Sequence, residues 1–542
     1  MITDCLGNIE HYVIRQFNCK RVFSFSSCRD HYFSRQKQQK MKSRRRQCGQ
    51  ICLLLTGIFF IGTGVTIFIF FEALYEFLLK EVLKIAPDSI VFNNWRTNDP
   101  PLIMDIYIFN WTNAHQVKNH SVKPEFQEIG PYRFKEVKDK VNITWHNNHT
   151  ISYMHDHKYF FDAEHSVRNL SDVITTLNAV PLTIAYKARH LGLFAKMPIS
   201  IALSTTSSIY VKKTAGELLF EGYRDPILST LYRLPFVQVQ DKFGYFYGKN
   251  GTIGEDGVYS MSYRNDENFG KIVSWKYRNR TDFFQGECND IRGSAGEFFP
   301  FDRQRDRLEL YNSQLCKYAI LEYVEDVSVD GIHAYKYTGD NMFDNGTTRP
   351  ENACYCVGEC IPSGAFNVSS CRDGSPTFLS LPHFYNADPS YTQNMKGMKP
   401  EKSKHSFFFE VEPKTGLILN VQAGMQVNML LQPIPKIRMY DNVPKMFVPL
   451  FYFSQNMKLA EYARSQIRML QNLPEYSNYL FYVLLSLGSI LILWAVCSCI
   501  CCSRSTDKFE LNGKMIKNSL HEEVPLKEQT SQRKYTFHKV KK

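Results

Sequence analysis

Residues 51–71, ICLLLTGIFFIGTGVTIFIFF, and residues 480–502, LFYVLLSLGSILILWAVCSCICC, contain no Asp, Glu, Lys, Arg or His. At ~1.5 Å of helix per residue, either stretch covers the ~30 Å hydrocarbon core of a bilayer. Between them lie nine Asn-x-Ser/Thr sequons, at Asn110, Asn119, Asn142, Asn148, Asn169, Asn250, Asn279, Asn345 and Asn367, and none lies elsewhere. N-glycans are attached on the non-cytosolic side, so the partition predicts a topology. Residues 1–50 form a cytoplasmic N-terminus, 51–71 and 479–502 the transmembrane helices, 72–478 a single extracellular domain and 503–542 a cytoplasmic tail.

The charge distribution points the same way. The chain carries 65 Lys+Arg against 53 Asp+Glu, a formal +12, of which residues 1–50 hold +8 and residues 503–542 hold +5, leaving −1 between. The basic excess is therefore no nucleic-acid surface. Lys40, Lys42, Arg44, Arg45 and Arg46 before the first span, with Arg504 and Lys508 after the second, obey the positive-inside rule. The first span is too long and too late for a cleaved signal peptide and reads as a retained signal anchor. Its 407-residue successor exceeds the ~250–300 residues at which one core stops growing, yet no linker or repeat divides it. One large domain with a subsidiary lobe is expected.

Six of the 15 cysteines, Cys288, Cys316, Cys354, Cys356, Cys360 and Cys371, fall between the spans. In an oxidising compartment an even number implies three disulfides, though six cysteines allow fifteen pairings. A zinc site built from Cys354, Cys356, Cys360 and Cys371 is the rival reading. Cys48, Cys52, Cys497, Cys499, Cys501 and Cys502 sit at the membrane boundary, where palmitoylation and simple apolar filling are alternatives.

Along the chain, Leu74, Leu78, Val82 and Ile85 recur at helical spacing up to Pro87, and Met457, Ala460, Ala463, Ile467 and Leu470 do so before Pro474. Two juxtamembrane helices are expected. Most of the intervening chain alternates as strands. Val141, Ile143 and Trp145 interleave with Asn142, Thr144 and His146, and Asn147-Asn148 offers a turn. Residues 407–431 repeat the pattern around Pro413-Lys414-Thr415-Gly416. Residues 171–203 break it: Ile184, Ala185, Ala188 and Leu191 share one helical face and Lys187 and His190 the other. Helices inserted into a β domain are expected. The basic cluster of Lys187, Arg189, His190 and Lys196, with Lys212 and Lys213, offers an attractive surface for anionic ligands, against which stands a merely solvated helix face.

No catalytic signature is present: no G-x-S-x-G, H-E-x-x-H, Walker loop or G-x-G-x-x-G after a strand, and Gly293-Ser294-Ala295-Gly296 has the wrong spacing for a nucleophile elbow. No catalytic residue and no cofactor are assigned. His146, His149, His155 and His157 are dense, but Asn148 is a sequon and alternate strand residues face opposite sides, so polar hairpin surface is expected and no metal. The tail lacks an acidic dileucine, and Tyr535-Thr536-Phe537-His538 lacks a bulky apolar fourth residue, which favours the plasma membrane over lysosomal delivery.

Several blocks resemble the class B scavenger receptors: Asn94-Trp95, Asp105-Ile106-Tyr107, Phe109-Asn110-Trp111-Thr112-Asn113, Gly130-Pro131-Tyr132-Arg133-Phe134, Gly222-Tyr223-Arg224-Asp225-Pro226 and Ser380-Leu381-Pro382-His383-Phe384-Tyr385. The stretch from Cys354 to Gly364 is most similar to the croquemort-like insect branch, which takes up apoptotic cells. The likeness covers roughly residues 50–502. It implies an α+β fold, with two transmembrane helices flanking an antiparallel β-barrel ectodomain capped by a helical bundle and an apolar tunnel toward the outer leaflet. It also implies the pairs Cys288–Cys354, Cys316–Cys371 and Cys356–Cys360. Two ligand-serving lysines of the family align with Ser204-Thr205-Thr206, so their role does not carry over; Lys187, Arg189, Lys196 and Lys213 are the substitutes, within the basic cluster that also holds His190 and Lys212.

Fifty residues before the span is long for that family. Met41-Lys42-Ser43-Arg44-Arg45-Arg46-Gln47-Cys48 resembles its usual start, and residues 1–40 read as an atypical extension. The expected function is a cell-surface, non-enzymatic receptor for anionic phospholipids, oxidised lipids, lipoproteins or apoptotic-cell surfaces, working by phagocytic uptake or lipid transfer, with co-receptors for signalling. The alternatives are a two-span ligand-gated channel, for which Ser486, Gly488 and Ser489 would face the pore, and a sensory-neuron protein that passes lipids or pheromones.

Overall fold

The computed structural model describes residues 25–97, 101–235 and 237–519, with the side chains of 25–40, 42–46 and 502–519 outside the described set. The proposed extension's first 24 residues, Lys40, Lys42, Arg44, Arg45, Arg46, Cys502, Arg504, Lys508 and the tail motif around Tyr535 therefore lie outside the described residues or side chains. The chain divides into two compact units, one formed by its two ends up to Tyr75 and from Asn472, the other by Glu76–Gln471.

In the first unit, helix Phe25–Val82 meets helix Glu461–Ser519. Each holds a stretch long and apolar enough to cross a membrane, within Gln47–Val82 and Glu461–Cys501. The two approach through glycine. A Cβ added at Gly57 would lie 2.9 Å from the Gly488 carbonyl oxygen, and one at Gly488 would lie 2.7 Å from that of Gly57. Phe68 and Phe481 pack nearby with tilted rings, their centroids 4.8 Å apart. Small residues allow backbones in lipid to come this close, and Gly488, which the channel reading aimed at a pore, is a helix-contact residue instead. Cys48, Cys52, Cys497, Cys499 and Cys501 are exposed free thiols.

Both juxtamembrane segments are helical, as continuations of the apolar helices, with bounds that differ from the expected ones. The first helix runs unbroken to Val82, leaving Ile85 in a loop, buried in the ectodomain core, while Leu74, Leu78 and Val82 are exposed. Met457 belongs to a strand, the second helix starts at Glu461, and Pro474 lies inside it. One proline removes one helical hydrogen bond, and the twenty-odd apolar residues that follow hold the helix together across it.

The second unit is built on strands β1 (Leu102–Trp111), β2 (Phe126–His146), β3 (Thr150–Phe161), β4 (Val173–Leu177), β5 (Tyr210–Thr214), β6 (Thr252–Ile253), β7 (Tyr259–Ser262) and β8 (Ile272–Trp275). The second half of the chain adds β9 (Arg307–Asn312), β10 (Lys317–Val329), β11 (Ile332–Thr338), β12 (Ala365–Asn367), β13 (Thr377–Ser380), β14 (Phe408–Val411), β15 (Ile418–Leu431) and β16 (Met446–Lys458). Fourteen of these make one antiparallel sheet, ordered β8-β7-β3-β2-β1-β16-β15-β14-β11-β10-β9, with β6, β12 and β13 attached to its path. β4 and β5 form a separate ribbon.

The hairpins fall where the alternation places them. β2 and β3 pair His146 with Thr150 and Trp145 with Ile151 around the Asn147-Asn148-His149 turn. β14 and β15 are joined through Glu412, whose carboxylate accepts from the Thr415 backbone at 2.7 Å, and Gly416 takes φ +70°, where a Cβ would strike the Phe299 carbonyl.

The long sheet has two edges, β8 and β9, and one residue joins them. Ser294 bridges Lys271 beside β8 and Leu310 in β9. Its amide donates to the Glu309 carbonyl and its carbonyl accepts from Tyr311, both at 2.8 Å, while the Gly293 carbonyl accepts from Ile272. The Gly293–Gly296 stretch is thus the seam of a nearly closed barrel. At Gly293, φ is +93° and a Cβ would sit 2.6 Å from the Glu309 backbone, so the close approach demands glycine.

Inside, Ile106, Ile108, Tyr132 and Leu431 form one cluster with the residues under the apex, and Trp95, Tyr153, Tyr259 and Phe366 form another. The buried Lys140 is paired. Lys140 Nζ lies 2.7 Å from Glu297, whose second oxygen accepts from Trp95 Nε1 at 2.7 Å. Disulfides join Cys288 to Cys354, Cys316 to Cys371 and Cys356 to Cys360, leaving no free thiolate among the four cysteines of the rival zinc reading.

Candidate functional site

Three helices and the β4–β5 ribbon cap the sheet: α1 (Ala179–Lys187), α2 (Leu193–Thr206) and α3 (Pro226–Tyr232). Asp225 caps α3, its carboxylate accepting from the Ile227 and Leu228 amides, with Pro226 pre-set for the first turn. α1 lays Leu182, Ala185 and Tyr186 on the core and Ala188 follows, but the expected fourth member of that face, Leu191, is 47% exposed. The cause is local. After Lys187 the chain tightens into a 3-10 turn, Ala188–His190, and Leu191 is extended before Gly192 starts α2, so the periodicity is broken.

α2 inverts the usual pattern. Only Lys196 and Leu203 are buried, whereas Phe194 is 91% exposed and Leu193, Met197 and Ile201 are also exposed. An apolar helix face left in water has no folding rationale, and contiguous exposed apolar surface marks a contact site.

The six basic residues singled out from the sequence divide into three kinds. Lys187, His190 and Lys212 are exposed. Arg189 is half-buried, its guanidinium 3.5 Å above the Tyr186 ring with Nη1 donating to the Tyr186 carbonyl, and Lys213 lies 3.6 Å from Glu217 and over the Tyr223 ring. Lys196 departs from the expectation. It is buried with Nζ 3.5 Å from the Pro435 carbonyl, because α2 turns its polar side onto the 433–438 loop and its apolar side to water.

That loop brings two cations the sequence reading missed. Lys436 and Arg438 are exposed, and the Arg438 amide donates to Ser200 Oγ in α2 at 2.9 Å. They stand more than 230 residues away in sequence, and their signal was the alternation Lys436-Ile437-Arg438, whose central residue is fully buried. The assembled surface holds cations beside an exposed apolar helix, a pairing that suits anionic amphiphiles.

Of the sequon asparagines, Asn119, Asn142, Asn148, Asn169, Asn250 and Asn279 are exposed, and Asn110 and Asn345 are half-buried. Asn367 is the exception: it is 7% exposed and Nδ2 donates to the Val357 carbonyl at 3.1 Å. That side chain is thus largely covered in this fold.

Known proteins resemble the chain along most of its length. The CD36 family profile matches residues 54–499. Protein peste of Drosophila melanogaster is 35% identical over 463 residues, 84% of this chain and 83% of its own. Scavenger receptor class B member 1 of Mus musculus is 32% identical over 464 residues, 83% and 89% of the two chains. Lysosome membrane protein 2 of Mus musculus is 28% identical over 463 residues, 83% and 96%.

Proposed function

The chain belongs to the CD36 family, and on that premise we propose that it is a plasma-membrane scavenger receptor, both termini cytoplasmic, whose apex binds anionic phospholipids, oxidised lipids, lipoproteins or apoptotic-cell surfaces. The observation that carries the reading is the exposed apolar row Leu193, Phe194, Met197 and Ile201 with Lys187, His190, Lys436 and Arg438 exposed on the neighbouring segments. Cations draw in the headgroups, and the apolar row then shields acyl chains from water at ~25 cal/mol per Å2.

The mechanism is binding followed by uptake, or by passage of a lipid through the ectodomain along an apolar tunnel, without covalent chemistry. Charge reversal, Lys187→Glu with Arg189→Glu, is expected to weaken uptake of phosphatidylserine vesicles while surface expression stays intact. Unchanged uptake removes those residues from the mechanism. The relative named a lysosome membrane protein makes an intracellular membrane the second reading. External protease on intact cells distinguishes them: cleavage within residues 72–478 with both end tags protected supports the plasma membrane, and a fully protected chain favours the alternative. The ion-channel alternative draws no support from these relatives.

A further inference from the structure

Away from the apex, the β3 strand carries two histidines on one face of the sheet. His155 and His157 are separated by one residue and both are buried, at 2% and 7% exposure. They face Asp256, 7% exposed, which arrives from the loop between β6 and β7. β3 pairs with both of those strands, so residues 254–258 arch away from it and back. Gly254 at φ +70° and Gly257 at φ +103° make the arch possible. The Gly254 amide donates to the His155 carbonyl at 2.8 Å, which aims the Asp256 carboxylate at the two rings. His146 and His149 take no part. His146 meets Ser152 on the exposed side and His149 packs edge-on to Tyr263.

One ligand atom from each of His155, His157 and Asp256 lies within 4.8 Å of the others. His155 Nδ1 is 2.8 Å and His157 Nε2 3.5 Å from Asp256 Oδ2, which also accepts from Tyr259 at 3.0 Å. Two buried atoms have no hydrogen-bond partner, His157 Nε2 and Asp256 Oδ1. On its far side, His157 Nδ1 sits 3.5 Å from the Glu136 carboxylate. The Tyr159 hydroxyl lies 3.4 Å from the same nitrogen; with Nδ1–H donating to Glu136, the Nε2 lone pair faces a carboxylate oxygen, an arrangement that a proton or a metal cation on Nε2 satisfies. A carboxylate behind a ligating imidazole is the usual outer support of a metal site, and nitrogen–oxygen separations of 2.8 and 3.5 Å, with all three atoms within 4.8 Å of one another, bring the donors near enough for small adjustments to set them ~2.0–2.2 Å from one ion.

The geometry points to a divalent transition-metal site, of the zinc class, formed by His155, His157 and Asp256, with Glu136 orienting His157 and one coordination position left for water. The ion would tie β3 to the arch between β6 and β7. Binding requires His155 to give up its Nδ1 proton and His157 to be neutral. Burial, with Lys138 next, holds the His155 imidazole down at about 4, so that ring is already neutral at pH 7. Burial also works to lower His157, but Asp256 and Glu136 outweigh it and leave that group raised. Lys138, paired with His157 across the β2–β3 ladder, is the local positive charge that opposes a cation, with Lys140 two residues on. Protons and metal compete for the same atoms, so affinity falls as pH is lowered.

The test uses the full-length glycoprotein in detergent, stripped with a chelator and equilibrated with micromolar Zn2+, with metal counted by plasma mass spectrometry. About one ion per chain is expected in the wild type and in His146→Gln/His149→Gln, with roughly 10–100-fold weaker binding in Glu136→Gln and a larger loss in His157→Gln and Asp256→Asn. Co2+ in the stripped wild type is expected to give the visible d–d absorption of a low-coordinate nitrogen-ligated site. That spectrum decides the matter on its own if a variant fails to fold. A wild type that takes up no zinc and shows no such Co2+ bands, or zinc uptake equal in folded His157→Gln, overturns the site and leaves only a proton shared between His157 and Asp256.

Discussion

The apex and the barrel interior handle charge and apolar surface in opposite ways. In the interior, Lys140 is bound by Glu297 and by the Trp95 carbonyl, and Lys317 donates to the Met342 carbonyl with aromatic rings 4.1 Å from its ammonium on Tyr355 and Phe366. Burial lowers the Lys317 ammonium to about 7, against the pull of Asp344. At the apex, Phe194 and Ile201 are left in water and the Lys187 and Lys212 side chains are exposed. Interior groups serve the fold because removing either partner leaves an uncompensated group, whereas the apex residues add little to folding and are available to a ligand.

The largest expected effect that would break this contrast is at the buried pair. Glu297→Ala strands the Lys140 ammonium and is expected to destabilise by ~3–5 kcal/mol, retaining the chain in the endoplasmic reticulum. Endoglycosidase-resistant glycans at wild-type level on this variant would show that the interior tolerates unpaired charge after all.

A smaller effect is expected from pH. Burial holds His155 at about 4, and burial with His383 nearby holds His405 at about 4, both below the ~6.5 of an unfolded histidine. Between those values the unfolded chain binds more protons, so stability falls as pH drops from about 7 toward 4. His157, raised, acts with opposite sign: its contribution is present below ~6.5 and lost as pH rises through its folded value. With two groups against one, Tm in the presence of chelator should be lower at pH 4.5 than at pH 7, and His405→Gln should flatten the slope. A wild-type Tm that is unchanged or higher at pH 4.5 than at pH 7 sinks the assignment.

Smaller still is the effect of losing a sugar. Glycopeptide mapping should find Asn367 bare while the six exposed acceptors are occupied, and Asn367→Gln should leave the glycoform mass unchanged. At the bottom of the scale, Phe194→Ser is expected to shift stability by no more than ~0.5 kcal/mol while weakening vesicle binding, which sharpens the contrast in one variant. A large stability loss there would mean that Phe194 belongs to the fold.

Much of the architecture was legible because it follows from short-range rules. Uncharged spans, alternating strands and turn residues each act within a few residues, and the hairpin registers at His146–Thr150 and around Gly416 fell where those rules put them. The misses share a different cause. Helix periodicity in 184–191 was interrupted by a 3-10 turn, and the helix expected to end before Pro474 runs through it. Lys196 looked like its basic neighbours, yet the loop it packs against arrives from residue 435. Asn367 carries a sequon like eight others, and only the strand pairing of β12 with β13 buries it.

By itself the sequence determined which two stretches are long and apolar enough to cross a membrane, that its middle is a disulfide-bearing β domain, and which segment interrupts that domain with helices. These depend on hydropathy and period, which a linear reading contains. Only the tertiary structure decided that Ser294 closes the barrel, that Lys436 and Arg438 join the apex, and that Asp256 meets His155 and His157 across about a hundred residues. Those juxtapositions depend on sheet order, and order is set by how the whole chain buries its apolar faces at once.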